Sequence, residues 1–213
     1  MSLEDFHRDY RSDILSTVAE RVASDEGPFP SEELVFAEMV MEHIDQVGIS
    51  ASPTICHWNG TVGNAKLRIT GYALSADETA LDLFVTHYFG TDELSELKDA
   101  EAVGTAGEGV KFLLRAADGK LEAKIDPTHP VRNLVATIGS RWGSLDRLRV
   151  FVLSDGITKS KRFASKEVQG KMVSIEAMDI ERLFTGASHH YPFSEWWCPK
   201  IGILNMCQCR STK

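Results

Sequence analysis

Five side chains of zinc-ligand type, His189, His190, Cys198, Cys207 and Cys209, fall within twenty-one residues near the carboxyl end. Structural zinc sites take such residues in pairs separated by two to five positions. The Cys-x-Cys pair and the eight residues after Cys198 depart from that spacing. The segment therefore reads as an exposed tail, in which Trp196-Trp197 and Ile201 to Leu204 form a sticky surface suited to a partner or to the remainder of a longer polypeptide. Gly104-Thr105-Ala106-Gly107-Glu108-Gly109 lacks the Gly-Lys-Ser/Thr ending of a phosphate loop and predicts a flexible helix entry. Gly-x-Ser-x-Gly is absent, and Cys56 sits in a predicted strand with no base placed beside it, so no nucleophilic triad is indicated. Lys159-Ser160-Lys161-Arg162, followed by Phe163, Lys166 and Lys171, has the composition of a nucleic-acid backbone contact; Lys159, Lys161, Arg162 and Lys166 are its candidate residues. A solvated basic loop is the alternative.

These groups sit in a chain of 213 residues with 43% hydrophobic and 25% charged side chains, enough for a sizeable core and typical of globular proteins. No apolar run approaches the eighteen or so residues that cross a bilayer, so no membrane partner is expected. No secretory signal is visible, and four cysteines are too few for a disulfide framework, which predicts a reducing, cytoplasmic location. The net charge of −8 is unevenly spread: residues 1 to 109 carry 21 acidic and 6 basic side chains, residues 110 to 213 carry 10 and 17. Such a split fits either phosphate contact by the basic half or charge pairing between the two halves.

Phe6, Tyr10, Ile14, Val18 and Val22 recur every four residues and predict an amphipathic helix, closed by Gly27-Pro28-Phe29-Pro30. Ser31 reads as the N-cap of a second helix that ends at Gly48. Thr54 to Trp58 predicts a short strand ended by Asn59-Gly60. Leu67 to Leu74 predicts a second strand whose apolar phase slips at Gly71, and Ala80 to Tyr88 a third, joined to it by the turn Ser75-Ala76-Asp77-Glu78. Glu93 to Leu97, Gly109 to Ala117 and Pro130 to Trp142 read as helices. Arg147 to Gly156 is the clearest strand, a mostly apolar run of interior type; Met172 to Ala177 is another strand, and Asp179 to Phe184 a short helix. The order specifies an α/β domain with a mixed sheet flanked by helices.

Ile69-Thr70-Gly71-Tyr72-Ala73-Leu74-Ser75, the spacing to Leu81-Asp82-Leu83-Phe84-Val85, the strand Val150 to Gly156, and Met178-Asp179-Ile180-Glu181-Arg182-Leu183 together resemble the amino-terminal region of AIPR proteins, which are associated with abortive infection and phage resistance in bacteria. The resemblance covers residues 5 to 185. It implies a domain over residues 1–185, with 186–213 as a tail opening a further region of a longer protein. It also implies a restriction-endonuclease-like fold, a mixed β-sheet flanked by helices in the order helix, three-strand meander, helix, strand. Such nucleases hold Mg²⁺ between acids on the second and third strands and steady the attacking water with a lysine. This chain has Thr70 where the first acid would stand and Val85-Thr86-His87 where the acid and lysine would follow. The catalytic candidates the resemblance leaves are Glu38, Asp82 and His87, with Asp82 as the metal ligand, and Asp77 and Glu78 as a further acidic pair. Asp82 and His87 lie on opposite faces of an alternating strand. The expected function is a recognition or assembly module with a degenerate nuclease fold; the alternatives are an active Mg²⁺-dependent nuclease on DNA or RNA, and a protein-interaction domain without nucleic-acid contact.

Overall fold

The computed structural model describes residues 1–24 and 31–190. In chain order the elements are α1 (Leu3–Ala23), α2 (Glu32–Gln46), β1 (Thr54–Val62), β2 (Ala65–Leu74), β3 (Ala80–His87), β4 (Glu96–Leu97), α3 (Asp99–Ala117), α4 (Val131–Arg141), β5 (Arg147–Ser154), β6 (Ile157–Thr158), β7 (Arg162–Val168), β8 (Lys171–Asp179) and α5 (Ile180–His190). Six strands form one mixed sheet in the order β1-β2-β3-β5-β8-β7, and β4 pairs with β6 in a separate two-stranded ribbon. β1, β2 and β3 are an antiparallel meander, β3, β5 and β8 run parallel, and β7 returns antiparallel to β8.

Strand alternation divides the core in two. Leu81, Leu83 and Val85 of β3, with Leu148, Val150 and Val152 of β5, pack under α3 and α4. Phe84, Phe151 and Leu153 point the other way, under α1, α2 and α5. Both faces of β3 and β5 are covered, which is why these segments read as near-continuous apolar runs. Phe84 and Phe151 are register partners, with ring centroids 5.6 Å apart.

Several expectations are met closely. Ser31 caps α2, its Oγ accepting from Leu34 N at 3.2 Å, and Gly48 takes the left-handed conformation (φ +69°) just beyond the helix. The apolar phase of β2 slips between Ile69 and Tyr72, both of which lean on the α3 side. A side chain at Gly71 would lie 2.7 Å from Met41 Cε of α2 and from the Thr54 carbonyl, so only glycine lets β1 and α2 come this close.

Others are corrected. Asn59-Gly60 does not end β1, which continues to Val62; the chain reverses at Gly63 (φ +63°) instead. Gly60 is small because the Trp58 ring lies over it, 2.6 Å from where a Cβ would stand. Glu93 to Leu97 is not a helix: its last two residues, Glu96 and Leu97, form the short strand β4, drawn into pairing with β6. The glycine-rich run is interior to α3, which begins at Asp99. The basic run beginning at Lys159 is no loop throughout: Arg162 to Val168 form the edge strand β7, turned into β8 at Gln169-Gly170, both with positive φ. The predicted helix end at Gly27 to Pro30 lies outside the described residues, as do Cys198, Cys207 and Cys209.

The three α3 glycines are unequal. A Cβ at Gly109 would stand 2.7 Å from Val85 Cγ2 and 3.3 Å from Val150 Cγ1, whereas Gly104 and Gly107 have nothing within 4 Å. Gly109→Ala is expected to lower stability by ~1–3 kcal/mol through overpacking against stiff β-branched neighbours. Gly104→Ala and Gly107→Ala should each raise it by ~0.5–1 kcal/mol through helix propensity alone, and urea denaturation of the three variants separates the two effects.

Candidate functional site

Asp82 occupies the third strand of the meander and points toward α2. Register sets it directly opposite Arg149 of the parallel strand β5. Arg149 Nε donates to Asp82 Oδ1 at 2.7 Å and Nη2 to Oδ2 at 2.6 Å, a two-pronged ion pair. Nη2 also donates to the Ile49 carbonyl at 2.8 Å, and Ser50 Oγ donates to Asp82 Oδ2. The guanidinium lies 4.9 Å from the centroid of the Phe151 ring. Hydrogen bonding to Asp82, outweighing burial, holds the Arg149 pKa above its ordinary value. Both carboxylate oxygens are thus engaged by donors in a buried setting, where a charge is tolerated only when paired and fully hydrogen-bonded.

The other catalytic candidates lie elsewhere. Glu38 projects from α2 and pairs with Arg21 of α1 at 2.6 Å. It borders an open cavity of about 260 Å³ that Met41, Glu42, Asp45, Ser52, Pro53 and Ile55 also line, and Asp82 is not part of it. His87 emerges on the opposite face of β3, where its Nδ1 lies 3.1 Å from Thr105 Oγ1 of α3 and its ring 4.9 Å from that of Phe89. The structure does not bring Glu38, Asp82 and His87 together. Asp77 and Glu78 serve the β2–β3 turn: Asp77 accepts from Ser75 Oγ and Thr79 N, and Glu78, at φ +55°, pairs with Arg141 at 2.8 Å.

Two further buried carboxylates, at the carboxyl ends of parallel strands, went unremarked as site residues in the sequence. Asp155, after β5, accepts from Phe89 N at 2.8 Å and Gly90 N at 2.9 Å, clamping the loop that leaves β3. Asp179, at the end of β8, accepts from Thr158 N at 2.8 Å and Thr158 Oγ1 at 3.1 Å, and it caps α5 through Arg182 N at 3.1 Å. The available signal was an acid placed immediately after an apolar strand, a position where backbone amides of the next turn point at it.

Asp179 also decides the fate of one basic candidate. Lys161 Nζ pairs with Asp179, with Glu181 Oε2 at 2.8 Å and with the Thr158 carbonyl at 2.7 Å, so its charge is spent within the fold. Arg162 is different, its side chain 83% exposed and only 3.8 Å from Glu176 at closest. Lys166, also on β7, and Lys159, in the segment leading into it, are exposed as well.

Removing one member of the buried pair should be far costlier than replacing both. Arg149→Met is expected to lower the unfolding free energy by ~3–5 kcal/mol, and adding Asp82→Leu should recover most of that loss, as read from urea denaturation midpoints.

Among the described residues no group of three or more His, Cys, Asp or Glu side chains is placed to hold a metal ion, and no helix is long and apolar enough to cross a membrane. No curated protein and no solved structure matches the chain. The family model described as "Abortive infection phage resistance protein N-terminal domain" matches residues 36–185, from the first buried turn of α2 through most of α5. A match over so much of the length, spanning the whole six-stranded sheet, shows that the chain belongs to the family of abortive infection phage resistance protein N-terminal domains.

Proposed function

We propose that this domain is an amino-terminal recognition or assembly module of a cytoplasmic bacterial phage-resistance protein, with a restriction-endonuclease-like order of elements whose third-strand acid has been taken into the scaffold. The observation that carries this reading is the two-pronged Arg149–Asp82 pair. A Mg²⁺ ion would require the oxygens that Arg149 and Ser50 occupy, and a guanidinium already supplies the compensating charge. The succession of α2, the meander β1 to β3, α3 and the parallel strand β5 agrees with the nuclease-like order.

In this reading the nucleic-acid backbone meets the β7 edge through Lys159, Arg162 and Lys166, while Lys161 remains with Asp179. The tail 186–213 meets either a protein partner or the remainder of a longer polypeptide. An active Mg²⁺-dependent nuclease is the competing reading, favoured by the same order of elements. It would require Glu38 to leave Arg21 and Asp82 to leave Arg149.

Two measurements separate these readings. With Mg²⁺ or Mn²⁺, purified protein should leave supercoiled plasmid and single-stranded DNA intact; cleavage abolished by Glu38→Gln, which leaves the sheet untouched, would establish the nuclease. In salt titrations of binding to a DNA or RNA duplex, changing Lys159, Arg162 and Lys166 together to Ala should flatten the log–log slope by about 2 to 3, near 0.9 for each phosphate that is no longer neutralised. A slope unchanged by the triple substitution would remove the β7 edge from the account, and no binding at low salt would leave a protein-interaction domain.

A further inference from the structure

α1 is shallowly seated and lies outside the matched residues 36–185. Of its 21 residues Phe6, His7 and Ile14 are buried, Leu15 is 41% exposed, and Val22 is 48% exposed in spite of its place in the apolar stripe. Its amino-terminal half is held by a polar latch. Arg11 Nε donates to Asp92 Oδ1 at 2.8 Å, and Nη1 donates to Glu32 Oε2 at 3.3 Å and Tyr88 Oη at 3.2 Å. Tyr88 Oη donates in turn to Glu32 Oε2 at 3.1 Å. Aromatic contacts from Phe6 to Phe184 and from Tyr10 to Phe36 flank the latch. This contact lies at the carboxyl ends of β3 and β5, the end of a parallel sheet at which α/β proteins hold their ligands.

His7 is the group out of place in such a contact, an imidazole only 4% exposed. The charged groups acting on it are Asp155 from the end of β5, Asp92 from the loop after β3, and Arg11 from its own helix. Burial, seconded by Arg11, disfavours the imidazolium more than the two carboxylates favour it, and its pKa lies below the ordinary 6.5.

We propose that α1 is a releasable strap over the strand ends, latched by Arg11 and unlatched when His7 takes up a proton, so that acidification uncovers Tyr88, Glu32 and Asp155 while the sheet stays folded. The sign follows from linkage. Well above pH 6.5 the imidazole is neutral whether α1 is docked or free, and docking carries no penalty. Below it the freed helix binds the proton and the docked helix resists it, so docking weakens as pH falls. The strap is independent of the β7 edge, and its failure would leave the nucleic-acid reading standing.

Native-state hydrogen exchange of the full chain at pH 7.5 and pH 5.5, corrected for intrinsic rates, tests this. The opening constant of α1 amides should rise several-fold and by at most about tenfold, the limit for one proton over one unit below pH 6.5, while β3 and β5 amides hold theirs. His7→Gln should abolish the rise, and Arg11→Met should raise α1 opening at both pH values. Exchange of α1 in step with β3 and β5 at both pH values, or a rise that persists in His7→Gln, would overturn the proposal; the wild-type comparison decides even if a variant folds poorly.

Discussion

A carboxylate and a guanidinium face each other where the antiparallel meander passes into the parallel half of the sheet, and the rest of the domain depends on that meeting. Asp82 stands opposite Ala73 of β2 on one side and Arg149 of β5 on the other. A slip of one residue between β3 and β5 would set Arg149 against leucine and turn Phe84 and Val85 to the wrong faces, so the ion pair and the two apolar layers specify the same register. Taking two charges out of water costs several kcal/mol per ion, and the pair is tolerable because Ile49 O, Ser50 Oγ and the Phe151 ring complete the shell. That shell also ties the segment following α2 to the sheet centre.

The uneven charge of the sequence finds part of its explanation in the same pairing. Asp82–Arg149 and Glu78–Arg141 each join an acid from residues 1–109 to a base from residues 110–213. Lys161, held by Asp179 and Glu181, shows that some of the basic excess is consumed locally as well. Among the described bases that stay exposed are Lys159, Arg162 and Lys166, the proposed phosphate contacts. β7 carries a register irregularity between Phe163 and Lys166, and a bulged, lysine-bearing edge resists pairing with another strand. This edge is therefore better fitted to meet a charged ligand through side chains than a strand through its backbone.

Long apolar runs made β3, β5 and α2 legible in the sequence, since burial on both faces of a central strand and on one stripe of a helix leaves an unmistakable pattern. The glycines misled where they served space rather than conformation: Gly60 yields to the Trp58 ring and Gly109 to Val85, and nothing local distinguishes such glycines from turn formers. β7 was hidden because an edge strand exposed on both faces has no alternation to show. The opposite faces of Asp82 and His87 followed from strand period alone. The partner of Asp82 did not, because it lies 67 positions away on a strand that only the crossover through α3 and α4 brings alongside.

The claim that Asp82 serves the scaffold and not a metal is tested most directly by titrating Mn²⁺ into isotopically labelled protein and following paramagnetic broadening of backbone amides. The account predicts that Leu81, Asp82, Leu83 and Arg149 broaden no more than other amides of the buried sheet. Selective broadening centred on those four residues would contradict it.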